Sequence, residues 1–318
     1  LTTWFDTHLP TLDLRRPEVV NPMTDSALVW VRDYGFDGYR HDATKHVDVL
    51  FWRTLTKKIK TEVNTDKRKR IFQIGETYGS PDLISSYIGP GLLDAQFDFN
   101  LYDAAVNFFA DLSGDAMQLM GVLETSLKTY GFHHLMGNIS GNQDRPRFIS
   151  IAGKEINPEE DTKLAGYTRK IGAGDSISYS KLALLHAFNH SIPGVPVIYY
   201  GDEYGMPGAN DPDNRRMMKF NGYNSSEIEL RNTVQNIVKA RRQNMALNFG
   251  FTEVQAPRKD ILYIIRSYLD TKVEIILNNG PNSFTKKITS PRKIIAGKGE
   301  LGINQIVIPP YGFVYLAS

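Results

Sequence analysis

The sequence has 318 residues, a formal net charge of +2, 41% hydrophobic residues and no cysteine. That length suits one large domain, or one large and one small, with ample apolar material for a core. The weak net charge gives no field for nucleic acid, no run of about 18 apolar residues offers a membrane span, and the absence of cysteine excludes disulfides, thiolate catalysis and cysteine-ligated metals.

Residues 1–22 are rich in Pro and Asp and read as irregular. Residues 25–33 read as a helix ending at Gly35, and 36–42 as a short strand. Residues 47–63 carry Val47, Leu50, Phe51, Leu55, Ile59 and Val63 at helical spacing. The basic run Lys67-Arg68-Lys69-Arg70 reads as a solvated turn. Residues 71–74 form an apolar strand ending at Gly75-Glu76. Residues 97–101 read as another strand, with helical stretches to about residue 130. Residues 134–140 are a strand candidate ending at Asn142-Gln143-Asp144, and 152–176 a polar loop. Residues 179–190 are helical, 195–200 are a strand ending at Gly201-Asp202-Glu203, and 227–245 are helical. Short strands alternating with helices predict parallel βαβ units. The pattern changes near residue 249. Alternating runs at 261–267, 272–278, 303–308 and 314–317, punctuated by Asn279-Gly280 and Pro309-Pro310, predict an all-β appendage.

Three strand ends present a carboxylate: Arg40-His41-Asp42, Gly75-Glu76 and Asn142-Gln143-Asp144. Alternate residues of a strand share a face, so Arg40 and Asp42 point the same way, as do Asn142 and Asp144. In a (β/α)₈ barrel, catalytic residues gather at the C-terminal ends of the strands. Carboxylates at three such ends, one beside an arginine, suit a glycosidase. Retaining cleavage needs an ionised carboxylate on one face of the sugar and a protonated acid at the leaving oxygen, about 5 to 5.5 Å apart. Arg40 favours the ionised form of Asp42, as a nucleophile requires. Glu76 must hold a proton, which burial and neighbouring carboxylates promote. Asp144 is placed to grip sugar hydroxyls.

The motifs also resemble a known family. Residues 38–46, Gly-Tyr-Arg-His-Asp-Ala-Thr-Lys-His, are similar to the fourth-strand motif of the α-amylase family. Ile74-Gly75-Glu76-Thr77 resembles its fifth-strand motif, Gly141-Asn142-Gln143-Asp144 its seventh, and residues 194–203 its eighth-strand segment. Residues 9–14, with Pro17-Glu18-Val19 after them, resemble the motif near the end of the family's domain B. The resemblance implies the C-terminal portion of a TIM (β/α)₈ barrel, an α/β fold, followed by a small antiparallel β-sandwich. The implied divisions are 1–22 for the end of domain B, 23–248 for barrel strands four to eight, and 249–318 for the sandwich, domain C. It implies Asp42 as nucleophile, Glu76 as general acid/base and Asp144 as transition-state stabiliser, with Arg40 positioning Asp42. Lys45 and His46 would line leaving-group subsites, Asn142 and Gln143 would bind substrate, and Asp211 and Arg215 would contact sugars on the non-reducing side. The family usually has His where Gln143 stands; glutamine donates a hydrogen bond but carries no charge.

The expected activity is retaining hydrolysis of α-1,4-glucosidic bonds in starch or maltooligosaccharides. Neopullulanase or cyclomaltodextrinase activity, or α-glucan transfer, is the near alternative, towards which the loop Asp211-Pro212-Asp213-Asn214-Arg215 leans. Lys45-His46 leans towards ordinary α-amylase. A non-catalytic glycan-binding or structural homologue is the alternative of another class, and the intact carboxylate triad argues against it. No cofactor is needed for the chemistry. A structural calcium fits the family without assignable ligands, although Asp211 and Asp213 also suit a polar turn. Asp202 and Glu203 read as loop-structuring groups, His46 equally as a helix cap, and adjacent His133 and His134 point to opposite faces of a strand rather than to one metal. The first three barrel strands are not in the sequence, so the expected partners are an α-glucan and the N-terminal half of the barrel, with no nucleic acid. Residues 1–4 lack the features of a signal peptide. Location stays open, with export favoured over the cytoplasm.

Overall fold

The structure is a computed structural model that describes residues 4–63, 70–157, 159–288 and 292–318, with the side chains of Trp4 and Phe5 left aside. Lys67, Arg68 and Lys69 of the basic run lie outside the described residues. The fold is the C-terminal part of a (β/α)₈ barrel followed by a β-sandwich. The chain divides into two compact units, Leu1–Asn100 with His134–Gly137, and Leu101–His133 with Asn138–Ser318.

The first unit opens with a two-stranded hairpin, β1 (Trp4–Asp6) and β2 (Leu9–Pro10). Helix α1 spans Pro17–Arg32, so helix begins eight residues before the expected residue 25. The segment reads as irregular, but Pro17 occupies the start of the helix, where its missing N–H costs nothing and its fixed φ is already helical. Glu18 in the first turn complements the dipole. Val20, Thr24, Leu28 and Val31 form the buried stripe. Strand β3 (Gly38–His41) leads through a 3₁₀ turn (Thr44–His46) into α2 (Val49–Lys58), capped by Asp48, which continues as a π-turn over Ile59–Val63. Strand β4 (Phe72–Gly75), α3 (Pro81–Ser85) and β5 (Ala95–Gln96) follow. The three strands form a parallel sheet in which Arg40 opposes Ile74 and His41 opposes Gly75. Leu28, Val31, Leu55, Ile59 and Ile71 make the core against which Tyr39 and Phe51 pack.

The strand expected at 97–101 is absent as such. Phe97 makes one parallel bridge to Gly137, and α4 (Phe99–Phe109) starts two residues later. Leu101, Tyr102, Ala105, Val106, Phe108 and Phe109 are all buried, a helical spacing that overrides the β propensity of the aromatics.

In the second unit, α5 (Ala116–Tyr130) starts from a capping box between Asp115 and Gln118. Strand β6 (Gly137–Ile139), whose first residue belongs to the first unit, is followed by α6 (Phe148–Ala152). The region read as a polar loop contains α7 (Thr162–Thr168), because the Asp161 carboxylate accepts from the N–H groups of Lys163 and Leu164 and nucleates a turn. Helix α8 (Ser176–Ser191) leads to β7 (Val195–Val197), which pairs with β6. A 3₁₀ turn (Asp213–Arg215), α9 (Ser225–Gln243) and α10 (Met245–Phe249) follow.

The remaining strands are β8 (Phe251–Arg258), β9 (Ile261–Tyr268), β10 (Thr271–Asn278), β11 (Phe284–Lys287), β12 (Lys293–Gly297), β13 (Glu300–Leu301), β14 (Gln305–Ile308) and β15 (Gly312–Ala317). They form a five-stranded sheet, β12-β15-β10-β9-β8, and a three-stranded sheet, β11-β14-β13. Their core joins Ile261, Tyr263 and Ile276 to Ile306, Ile308, Val314 and Leu316. A buried guanidinium and a phenol anchor this sandwich to α8 and the turns beside it, and a second guanidinium, on α9, bonds the same helix end. Arg266 donates to the carbonyls of Ser191 (2.6 Å) and Gly250 (3.0 Å), and the Tyr315 hydroxyl donates to Ala187 at 2.5 Å. Arg241 donates to the carbonyls of His190, Ile192 and Gly194. A helix leaves its last carbonyls unpaired at the negative end of its dipole, so cations are well placed there. Burial still pulls the ionisation of Arg241 down to about 10 and that of Arg266 to about 9.

Candidate active site

In the first unit, Asp42 lies one residue beyond β3 and Glu76 one residue beyond β4. The parallel register carries both ends forward together, and Arg40 spans them. Its Nη1 donates to Asp42 Oδ1 at 2.5 Å and its Nη2 forms an ion pair with Glu76 Oε2. Asp42 is exposed (73% of its side chain), whereas Glu76 is largely buried (13%). Arg40 had been assigned to Asp42 alone; it holds both carboxylates.

The two segments are tied by their backbones as well. Thr44, fully buried, donates its N–H to the Glu76 carbonyl at 2.9 Å, and its hydroxyl accepts from the Glu76 N–H at 3.0 Å. Ala43 sits at φ 46°, a left-handed conformation for a residue with a side chain, and turns the chain directly after Asp42. Gly75 is required by close approach: a Cβ there would lie 2.5 Å from the Thr44 hydroxyl and 2.7 Å from Leu93 Cδ1. Lys45 donates to the Tyr78 carbonyl at 2.9 Å, in the segment that follows Glu76, and His46 is partly buried in the same 3₁₀ turn.

His41 faces away from Arg40 and Asp42, as strand alternation demands. It stacks on Tyr39, packs at a tilt against Trp52, and its Nε2 is 3.1 Å from Gln73 Oε1. Burial pulls its ionisation down to about 4. On α8, burial likewise lowers His186, and His190 to about 3. All three are neutral in the fold and protonate more readily in the unfolded chain, so unfolding takes up protons below about pH 6.5. Stability is therefore full above pH 6.5 and falls as pH drops towards 4, with His41 alone accounting for a loss on the order of 3 kcal/mol. Urea unfolding at pH 7.5, 5.5 and 4.5 checks this, with His41→Gln expected to flatten part of the slope. A midpoint constant across that window would remove the argument.

In the second unit, Asn142, Gln143 and Asp144 follow β6. The Asp144 N–H donates to Asn142 Oδ1 at 3.0 Å, and the Gln143 amide donates to Asp144 Oδ2 at 3.1 Å. Gln143 thus supplies a donor at the position where the family usually has His. Arg215 reaches both Asp144 (3.4 Å) and Asp211 (2.9 Å), so the two residues expected to grip sugars engage each other, and Arg215 also engages the candidate stabiliser. Asp213 accepts from the Ala209 N–H and pairs with Arg216, which is turn-structuring. Asp202 is buried in a pair with Arg147 at 2.8 Å, and Glu203 accepts from the Gly201 N–H. In the first unit, His134 Nδ1 accepts from the Met136 N–H. Among the described residues no group of three His, Asp or Glu side chains could hold a metal ion. A cavity of about 420 Å³ between α8, α9 and β15 is lined by Tyr179, Leu230, Tyr311 and Phe313, and none of the candidate residues lines it.

The family model described as "Alpha amylase, catalytic domain" matches residues 2–293. The chain belongs to the α-amylase family. It is 26% identical to a cyclomaltodextrinase of Geobacillus thermopakistaniensis (strain MAS1), over 98% of this chain and 50% of that protein. This α-amylase-family chain also resembles the crystal structure of an Anoxybacillus α-amylase, with a TM-score of 0.78, 26% identity, and coverage of 97% of this chain and 65% of that one. A cyclic α-maltosyl-(1→6)-maltose hydrolase from Arthrobacter globiformis gives a TM-score of 0.77 and 25% identity, covering 98% of this chain and 62% of that one. The chain thus spans about half the length of the Geobacillus relative. Among the described residues, no helix is long and apolar enough to cross a membrane.

The sequence-level reading missed Thr44, Asn214 and Arg147, which hold the carboxylate-bearing segments. Thr44 carried a faint signal, being a small hydroxyl residue two positions beyond Asp42. Asn214 and Arg147 act across long sequence separations and carried none.

Proposed function

We propose that the protein is a retaining glycoside hydrolase that cleaves α-1,4-glucosidic bonds, with cyclic and short maltooligosaccharides favoured over starch. The observation that carries this reading is the Arg40 guanidinium holding Asp42 and Glu76 at adjacent strand ends. The Asp42 carboxylate attacks the anomeric carbon while Glu76 protonates the departing oxygen. Glu76 then takes a proton from water, which releases the sugar from Asp42 with its configuration retained. Asp144 accepts hydrogen bonds from hydroxyls of the reacting ring, and these strengthen as the oxocarbenium character grows. The preference for cyclic substrates is supported by the similarity to a cyclomaltodextrinase and by the loop at residues 211–215. A single carboxylate pair also serves ordinary α-amylases, so Lys45 and His46 support an endo-acting reading on starch as the second choice. Rates on β-cyclodextrin, maltotriose and soluble starch at equal glucosyl concentration separate them. Faster release of reducing ends from the cyclodextrin is expected. A preference for starch selects the endo-amylase, and no hydrolysis of any of the three leaves a glycan-binding homologue.

A further inference from the structure

Asp144 is exposed, yet the carbonyls of the residues before and after it are both bonded by one buried side chain, with Arg215 Nε as a second donor to the first at 3.3 Å. Asn214 is 0% exposed at the centre of the 3₁₀ turn Asp213–Arg215. Its amide nitrogen donates to the carbonyl of Gln143 at 2.8 Å and to that of Arg145 at 2.9 Å. Its own carbonyl accepts from Arg147 Nε at 2.9 Å. Arg147, also buried, directs Nη1 to Asp202 Oδ1 (2.8 Å) and to the Tyr200 carbonyl (2.6 Å), and its guanidinium lies 4.1 Å from the Tyr199 ring centre. Asp202 Oδ2 accepts from the Ser140 hydroxyl at 2.6 Å, and that hydroxyl accepts from the Tyr199 N–H at 3.0 Å. The loop bearing Asp144 is therefore fastened at three places. Ser140 secures its start, Arg147 its end, and Asn214 its middle.

The chemistry at position 214 is specific. An asparagine amide offers two N–H donors, and here both meet carbonyl oxygens. An aspartate of the same shape would turn an anionic acceptor towards two acceptors, taking this donor from the Arg145 carbonyl and leaving the Gln143 carbonyl only the longer bond from Arg215 Nε at 3.3 Å. We infer that Asn214 is a positioning residue that sets Asp144 through the backbone of residues 143–145, with Arg147 holding Asn214 in register. This rests on the proposed catalytic role of Asp144. It gives the loop at residues 211–215 a task beyond sugar contact, namely support of a carboxylate far away in the chain.

Asn214→Asp is the test, read in two ways. Hydrogen exchange followed by mass spectrometry should rise in the peptide covering residues 143–147. The kcat on maltooligosaccharides should fall about 100-fold, the scale of a small misplacement, with KM nearly unchanged. Added to Asp144→Asn, the same change should cost little more, because the group it serves is already lost. Arg147→Lys keeps the charge but cannot reach Asn214 and Asp202 together, and should give a smaller loss of the same kind. If Asn214→Asp does not fold, Asn214→Ser carries the same measurements. Unchanged exchange at 143–147 in a folded variant overturns the inference, as does a kcat loss that adds in full to that of Asp144→Asn. If the unsubstituted protein hydrolyses no α-glucan, the proposed function fails, and the exchange result alone decides whether Asn214 holds the loop.

Discussion

Glu76→Gln is expected to lower turnover of maltooligosaccharides by about 10³- to 10⁴-fold, while binding stays close to that of the unsubstituted protein. Glutamine keeps the size of the side chain and an oxygen for Arg40, but it has no proton to give. The loss should depend on the leaving group. A glucosyl alkoxide departs poorly without a proton, whereas fluoride departs unaided. α-Glucosyl fluoride should therefore still form the Asp42 ester in the variant, and its slow step should become release by water, which Glu76 no longer activates. Glu76→Ala opens room for azide. Azide approaches from the face the leaving group vacated, so the product should be the α-glycosyl azide. Hydrolysis of natural substrate at the unsubstituted rate would remove Glu76 from the acid/base role. A β-azide would give it the role now assigned to Asp42.

The strand-end carboxylates were legible because short apolar runs closing on Asp42, Glu76 and Asp144 follow from local alternation. What sequence adjacency could not supply was the second partner of Arg40. Arg40 stands two residues from Asp42 in the chain but 36 from Glu76, and only the β3–β4 register brings Glu76 within its reach. The bonds from Asn214 to Gln143 and Arg145 cross 71 and 69 residues, beyond any local pattern. Two further misreadings were of residues whose meaning depends on position. Pro17 lies in a segment read as irregular, where it starts a helix, and Asp161 lies in a segment read as loop, where it caps α7. The all-β run after α10 was plain from its alternation. The edge strands β8, β11, β12 and β13 were missed because each is short or lacks a sustained apolar alternation.

Asp42 is the other position where a large effect is expected, and its geometry sets the form of the test. Its carboxylate is open to solvent, and its bond to Arg40 leaves an oxygen free to attack. The fixed turn at Ala43 and the two bonds between Thr44 and Glu76 hold its segment against that of the acid. Asp42→Asn leaves this framework in place and removes only the nucleophilic charge. Its expected cost is about 10⁴- to 10⁶-fold in kcat, the range seen when a covalent nucleophile is lost. Covalent trapping reads the same role directly. In 5-fluoro-α-glucosyl fluoride the ring fluorine destabilises the oxocarbenium state of both steps, while the good leaving group spares the first. The ester should accumulate and be found by peptide mass on Asp42. With Asp42→Ala, azide should occupy the vacated side and give the β-glycosyl azide, the opposite anomer to that expected from Glu76→Ala. A label on another residue moves the role there. If no label forms while hydrolysis proceeds with inversion, the double displacement itself is wrong, and Asp42 becomes the base that activates water.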